Sequence, residues 1–386
     1  MLRVLHAVAS VGDRYGGVSA AVGALGHVES MLRHDATLVS LHRPEQGDRL
    51  LSELSSCFDV EVLPPGRVSG RFHGSGRLRS TLARLVPQHD LVVVHGVFDL
   101  TAHLCGRTAR RYAVPYLLWP HGSLDPYDLR EHGWAKRRLA PLWRESIAGA
   151  SAVMCTTQRE ADRLEDFGAG TRREVLPLPL PDAVPVAAAG ESRERARRAC
   201  GLPVTGRVVL FLGRIDRKKG LPLLMEAFDL AAGPDDTLVV AGVGDAQLDR
   251  SLRAAASARE SPGRVVFTGW VEPRRRRELL AAADVFALLS DNENFSVATA
   301  EALAAGCAVL LSDEVYLGDE LVAAGGAVVT RRHPAVAAMA LRTLLTDDRV
   351  REKISRAGQD WARWALDRDR VSRSYRRVVE GVFARW

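Results

Sequence analysis

Arg214, Lys218 and Lys219 crowd one short turn, FLGRIDRKKG (residues 211–220), between an apolar run and the start of a helical one. Cations oppose the positive end of a helix dipole, so a cluster of them there points to an anion held among them. A solvated basic turn is the alternative reading. Two acids follow in SDNENFSVATAEALAAG (290–306), Glu293 in a polar loop and Glu301 inside an apolar helical run. An acid in such a run needs hydrogen-bond partners, because a buried carboxylate left unpaired is strongly disfavoured. Ser296 is placed as the N-cap of that helix and Gly306 as its stop.

Other residues could join this chemistry. His121 opens HGSLDPYD directly after the apolar run PYLLWP, and His95 closes DLVVVHG in the same way with a weaker claim. Either is equally a hydrogen-bonded core histidine. Gly12, Gly16 and Gly17 lie in SVGDRYGGVSAAV ahead of a helix, where backbone amides could approach an anion, although a tight turn explains them as well. The spacing is not the G-x-G-x-x-G of a dinucleotide fold. Arg274 to Arg277, four in a row, are expected to form a solvated helix face. Trp134 and Trp143, interleaved with Lys136, Arg137, Arg138 and Arg144, fit either contact with anionic lipid headgroups or ordinary core packing.

The elements that must position these residues alternate along the chain. Residues 2–9, 36–42, 90–96, 115–120 and 151–156 are short, nearly continuous apolar runs, as strands buried on both faces should be. Residues 18–33, 100–112 and 158–168 carry helical spacing between them, and the same alternation restarts after residue 205. This βαβα order implies parallel sheets covered by helices, with ligands bound beyond the carboxyl ends of the strands. With 386 residues, two domains are expected. The Pro- and Ala-rich stretch from Pro177 reads as a linker running into a helix. Expected limits are residues 1–180, with a C-terminal helix at 367–386 packing back on that domain, and 181–366. Two further helices are expected after residue 345.

Composition narrows the classes. Hydrophobic residues at 47% and charged residues at 26% describe a globular chain rather than a disordered one. A net charge of +6 favours anionic partners. The five cysteines are scattered with no CxxC pair, which signals neither zinc nor a disulfide framework and suits a reducing cytosol. No run reaches the roughly 18 apolar residues a membrane span requires. A cytoplasmic protein is expected, with peripheral contact at the inner membrane face left open.

Taken together, GRIDRKKG, the later ENFSVATAEALAAG, VVFTGW, the run ADVFALLS and the N-terminal Gly-Gly loop resemble the retaining glycosyltransferases of family GT4, over essentially the whole chain. PHGSLDP is similar to the branch that builds bacterial polysaccharides. The resemblance implies a GT-B fold, an α/β architecture of two Rossmann-like, doubly wound parallel-sheet domains facing a central cleft. It implies that Arg214 and Lys219 hold a donor diphosphate, that Glu301 bonds the nucleotide ribose and that Glu293 contacts the donor sugar. Asn294, Phe295, Ser296 and Val297 would complete the donor-binding loop, Gly16 and Gly17 would close on the phosphates, and His121 would reach the sugar near the transferring carbon. No cofactor and no catalytic metal are implied, only a nucleotide-diphosphate sugar as co-substrate and a lipid-linked or small-molecule hydroxyl acceptor.

Two departures stand out. Where many members have E-G-F-G, this chain has Glu293-Asn294-Phe295-Ser296, and a common P-N-G-V-D is replaced by Pro177-Leu178-Pro179-Leu180-Pro181-Asp182. Polysaccharide or glycoconjugate assembly, glycosylation of a secondary metabolite and nucleotide-sugar epimerisation all remain open. A basic nucleic-acid-binding protein is the non-enzymatic alternative, but with aromatics at 6% no stacking platform supports it, and nucleic acid is not an expected partner.

Overall fold

The computed structural model describes residues 1–12, 16–41, 49–64, 76–125, 140–164, 170–180, 191–259 and 262–386. The chain divides into two compact units, one made of Met1–Pro179 with Arg368–Trp386 and the other of Leu180–Asp367.

The first unit carries β1 (Arg3–Ser10), β2 (Asp35–Leu41), β3 (Asp59–Leu63), β4 (Leu91–His95), β5 (Tyr116–Trp119), β6 (Ala152–Cys155) and β7 (Arg173–Val175). Between them run α1 (Gly16–Met31), α2 (Arg49–Leu54), α3 (Leu78–Leu85), α4 (Leu100–Arg111), α5 (Ala140–Ala148) and α6 (Gln158–Arg163). The sheet order is β3-β2-β1-β4-β5-β6-β7, with parallel pairing throughout. Side chains alternate across it. Leu5, Val39, Val92, Val94 and Leu118 pack on one face with Leu82, Cys105, Trp143 and Ile147, whereas Val8 and Leu38 pack on the other with Val22, Leu54 and Phe58. That parity sends His6 and His95 to the α1 side. The C-terminal helix, Arg368–Phe383, packs on α1.

The second unit has β8 (Val208–Leu212), β9 (Thr237–Ala241), β10 (Arg264–Gly269), β11 (Val285–Leu288), β12 (Ala308–Ser312) and β13 (Ala327–Thr330). Its helices are α7 (Glu191–Ala199), α8 (Leu221–Ala231), α9 (Ala246–Ser257), α10 (Pro273–Ala282), α11 (Val297–Ala304), α12 (Leu317–Ala323), α13 (Pro334–Thr346) and α14 (Asp348–Ala365). Its parallel order, β10-β9-β8-β11-β12-β13, repeats the doubly wound arrangement. In both units the strand order reverses beside the first strand, between β1 and β4 and between β8 and β11. Loops at such a switch point diverge and leave a crevice.

The apolar runs form strands where expected. Three further strands, β3, β7 and β13, are not among the expected runs. All lie at sheet edges with half-exposed faces, and β3 and β7 carry charged residues there, whereas β13, AVVT, is apolar but only four residues long. The helices expected after residue 345 are present. Residues 181–190 of the expected linker lie outside the described residues.

Candidate functional site

In the second unit the switch-point loops are those after β8 and β11. Asp216 caps a single 3₁₀ turn, Arg217–Lys219, by accepting from the Lys218 amide at 3.0 Å. Gly220 ends the turn at φ 64°, where a Cβ would stand 1.8 Å from the Leu289 carbonyl oxygen. Only glycine allows that approach. The Asp291 amide then donates to the Lys218 carbonyl at 2.7 Å, lacing the two loops together. Glu293 is held from its other side, donating to the Glu314 carbonyl at 3.0 Å and accepting from the Tyr316 amide at 2.9 Å.

These contacts bring Lys219 Nζ against Glu293 Oε2 as a half-buried ion pair. A cation and an anion from loops 74 residues apart thus meet at the crevice. Arg214 is largely exposed, 3.9 Å from Asp216, and its guanidinium is open to solvent. Asn294 and Val297 are half-buried and Phe295 is buried.

Glu301 is buried, 6% exposed, on α11. It is not unpaired: Arg276 reaches its Oε2 from α10. Burial pushes the Glu301 carboxyl above its usual range, and the Arg276 guanidinium opposes that rise. This corrects the expected role of Arg274 to Arg277. Successive residues on a helix point about 100° apart, so four in a row cannot share one solvated face. Arg274 stays outside in a pair with Glu278, while Arg275 donates to the carbonyls of Ala199 and Cys200 at 2.6 and 2.8 Å, closing the end of α7.

Ser296 stands at φ 55°, ψ 87°, outside the comfortable regions for a side-chain-bearing residue. It occupies the second glycine position of the E-G-F-G pattern, and this backbone explains why glycine suits it. Its hydroxyl compensates by capping α11, accepting from the Thr299 amide at 3.3 Å and meeting the Thr299 hydroxyl at 2.8 Å. The strain is worth roughly 1–3 kcal/mol and the cap about 1 kcal/mol. Ser296→Gly should therefore leave stability equal or raise it by about 1 kcal/mol, and Ser296→Ala should lower it by about 1 kcal/mol. Urea unfolding of the three proteins checks the order, which the strain account requires to be Gly above Ala.

In the first unit, β5 ends at Trp119, and two residues on, His121 with Gly122 forms a left-handed turn at φ 53° and 76°. The turn folds the imidazole back so that its Nε2 lies 2.9 Å from His95 Nδ1. A buried acid not singled out from the sequence, Glu160, holds this loop: one oxygen accepts from the Gly122 amide and the other from the Thr156 amide, both at 2.7 Å. Thr157-x-x-Glu160 is a capping-box spacing at the start of α6, and that was the available signal. Burial alone lowers the His121 pKa to about 3, so the ring is neutral at physiological pH. Gly16, at φ 47°, begins α1, and no described atom lies within 4 Å of a Cβ at Gly17. Packing among the described residues does not demand glycine there, which leaves the backbone accessible to a ligand.

Trp143 is buried, packed edge-on against Phe98 and His103, and is a core residue rather than a membrane contact. Trp134, Lys136, Arg137 and Arg138 lie outside the described residues. Among those described, no helix is long and apolar enough to cross a membrane.

Residues 16–179 match the model described as a glycosyl transferase 4-like domain, and residues 192–361 that of glycosyl transferases group 1. The chain is 30% identical over 300 residues to a D-inositol 3-phosphate glycosyltransferase of Xylanimonas cellulosilytica, spanning 73% of this chain and 69% of that one. It is 31% identical over 294 residues to a 2-deoxystreptamine glucosyltransferase of Streptomyces kanamyceticus, spanning 70% and 72%. Among solved structures, Anabaena HepE in complex with UDP and glucose superposes with a TM-score of 0.79 at 17% identity, covering 99% of this chain and 100% of that one.

Proposed function

Because the chain belongs to the GT4 family of GT-B-fold glycosyltransferases, we propose that it moves a sugar from a nucleotide-diphosphate donor to a hydroxyl acceptor with retention of configuration. The observation that carries this reading is the Lys219–Glu293 pair at the switch point of the second unit, with Glu301 on the helix that follows. A donor diphosphate brings negative charge to the cation, and its sugar brings hydroxyls to the carboxylate.

Cleavage of the sugar–phosphate bond places negative charge on the leaving phosphate and positive charge on the anomeric carbon. A fixed cation already oriented toward that oxygen stabilises the transition state more than the ground state. Lys219 supplies one such cation and Arg214, swinging from solvent, a second. Glu293 engages the sugar hydroxyls, and Glu301, paired with Arg276, accepts from the ribose hydroxyls. The leaving phosphate takes the acceptor's proton as the acceptor oxygen attacks from the same face. Phosphate charge is met by these residues, with no metal ion required. The acceptor is a small polyol or a lipid-linked hydroxyl. The named relatives, one acting on an inositol phosphate and one on 2-deoxystreptamine, support that class. A cytoplasmic setting, where nucleotide sugars are made, suits this chemistry.

A panel of UDP-, GDP- and dTDP-sugars in a thermal-shift assay tests the donor. At 100 times its Kd a true donor stabilises the protein by about 2.7 kcal/mol, a shift of roughly 2–4 °C. One nucleotide class should stand out, with the same shift and turnover in EDTA. A flat response across the panel would overturn the nucleotide-sugar reading, and loss of turnover in EDTA the metal-free one.

A further inference from the structure

The first unit holds a row of titratable side chains that ends on His121. Glu29 Oε1 lies 3.0 Å from His6 Nε2, and His6 Nδ1 lies 3.0 Å from His95 Nε2. His95 Nδ1 in turn lies 2.9 Å from His121 Nε2. The row climbs from mid-sheet to the carboxyl edge, since His6 pairs with Val93 whereas His95 pairs with Val8 and Trp119. His6 and His95 have spent both ring nitrogens within it. His121 Nδ1 makes no hydrogen bond among the described residues. Neighbouring rings lie end to end and nearly coplanar, as an N–H···N bond requires, His95 and His121 with centroids 5.2 Å apart and planes 8° apart.

Each nitrogen-to-nitrogen contact holds one proton, because one partner must donate and the other accept. Glu29 as a carboxylate only accepts, so His6 Nε2 carries hydrogen. Two arrangements then satisfy the row. With all rings neutral, His121 Nε2–H donates to His95 Nδ1, His95 Nε2–H donates to His6 Nδ1, and His121 Nδ1 presents a lone pair. With His6 as imidazolium both bonds run the other way, and His121 presents Nδ1–H.

We propose that Glu29, His6, His95 and His121 form a proton wire whose polarity sets whether His121 meets a bound ligand hydroxyl as acceptor or as donor. A proton from hydronium binds His121 Nδ1. The His121 Nε2–H bond breaks as His95 Nδ1–H forms, and the His95 Nε2–H bond breaks as His6 Nδ1–H forms. One proton has entered, water is released, and one positive charge rests on His6 against the Glu29 carboxylate. His6, His95 and Glu29 are thus positioning residues acting through His121.

The Glu29 carboxylate, 3.0 Å from His6 Nε2, marks that resting place. Burial holds His121 near 3 and, with the neighbouring imidazoles, keeps His95 well below its ordinary range, so neither retains the charge. Burial alone would raise Glu29, but hydrogen bonds from His34 and His6, and that of Tyr375, bring it to about 2. Among the described residues, the titratable groups touching the row from packed elements are His34, just after α1, at 2.6 Å from Glu29, and Tyr375 of the C-terminal helix, at 2.7 Å. Among the described residues, Phe58 and Trp119 also make ring contacts with it.

The inference leans on the proposed transfer only in facing His121 toward substrate; the wire is a property of the free protein. Nitrogen NMR of the full chain labelled at histidine, titrated with acid, reads it directly. His121 Nδ1 and His6 Nδ1 should gain hydrogen at one shared midpoint while His95 exchanges tautomers without gaining charge. His95→Phe keeps a ring in the row but should uncouple the two. Tyr375→Phe frees the carboxylate and should raise both midpoints equally. Separate midpoints in the wild type, or a Tyr375→Phe shift confined to His6, would overturn the wire. Inactivity toward every nucleotide sugar would leave these spectra unchanged, so the two readings fail separately.

Discussion

Lys219→Ala should lower kcat/KM by roughly 10²- to 10³-fold, the usual effect of deleting one preorganised donor to a developing oxyanion. The side chain is half-buried at the crevice between the loops after β8 and β11, and its fixed position underlies that magnitude. A solvated lysine would lose far less. Because Lys219 and Glu293 touch in the free protein, removal of either leaves the other without its partner, so the single losses should exceed what the double variant implies. Glu293→Gln keeps the shape and a hydrogen-bonding group while removing the charge, and should separate sugar contact from ion pairing. Steady-state kinetics on the four proteins, with circular dichroism to confirm unchanged folding, is the measurement. Near-wild-type turnover in Lys219→Ala would remove it from the diphosphate.

Glu29→Ala should be the most damaging change to stability, about 3–5 kcal/mol in the unfolding of the first unit, because it strands His6, His34 and Tyr375 around a missing acceptor. The pH dependence follows from the same contacts. The folded-state pKa of about 2 lies below the ordinary 4.5. The carboxylate's contribution is therefore complete above about pH 4.5 and is lost as pH falls toward about 2. The distance between those values corresponds to about 3 kcal/mol at about 1.36 kcal/mol per pH unit. Glu29→Gln should flatten that part of the acid limb in urea unfolding. An acid limb unchanged by the substitution would place the stabilising contacts elsewhere.

How much of this was legible in the sequence depended on whether a signal was local. Buried parallel strands announce themselves, since both faces are covered and LVVVH reads as one apolar run. The edge strand DVEVL, with a half-exposed burial pattern, is only marginally distinguishable from a polar loop. The basic turn and the acidic motif could each be placed at a strand end, but the contact of Lys219 with Glu293 lies in no short window. Arg276 was misread for a related reason: the run of four arginines is a composition signal, and the angular spread around α10 sends Arg274 to Glu278, Arg275 to the end of α7 and Arg276 to Glu301. Glu29 left a faint trace, an acid directly after the buried Val28 on an apolar helix face. Its ligands come from residues 6, 34 and 375, two of them far from it in the chain.

The last of those ligands bears on biosynthesis. Chain order is first unit, second unit, then the C-terminal helix that returns to the first. As the polypeptide emerges from the ribosome, residues 1–179 are complete long before Tyr375 exists, and at about 5–20 residues per second the interval is on the order of ten seconds or more. During that interval Glu29 lacks one of its donors and the surface of α1 that the helix covers is bare. A nascent chain thus carries this uncovered stretch of α1, Glu29 among it, until the C-terminal helix is made, and a premature stop anywhere in the second unit would leave it so permanently.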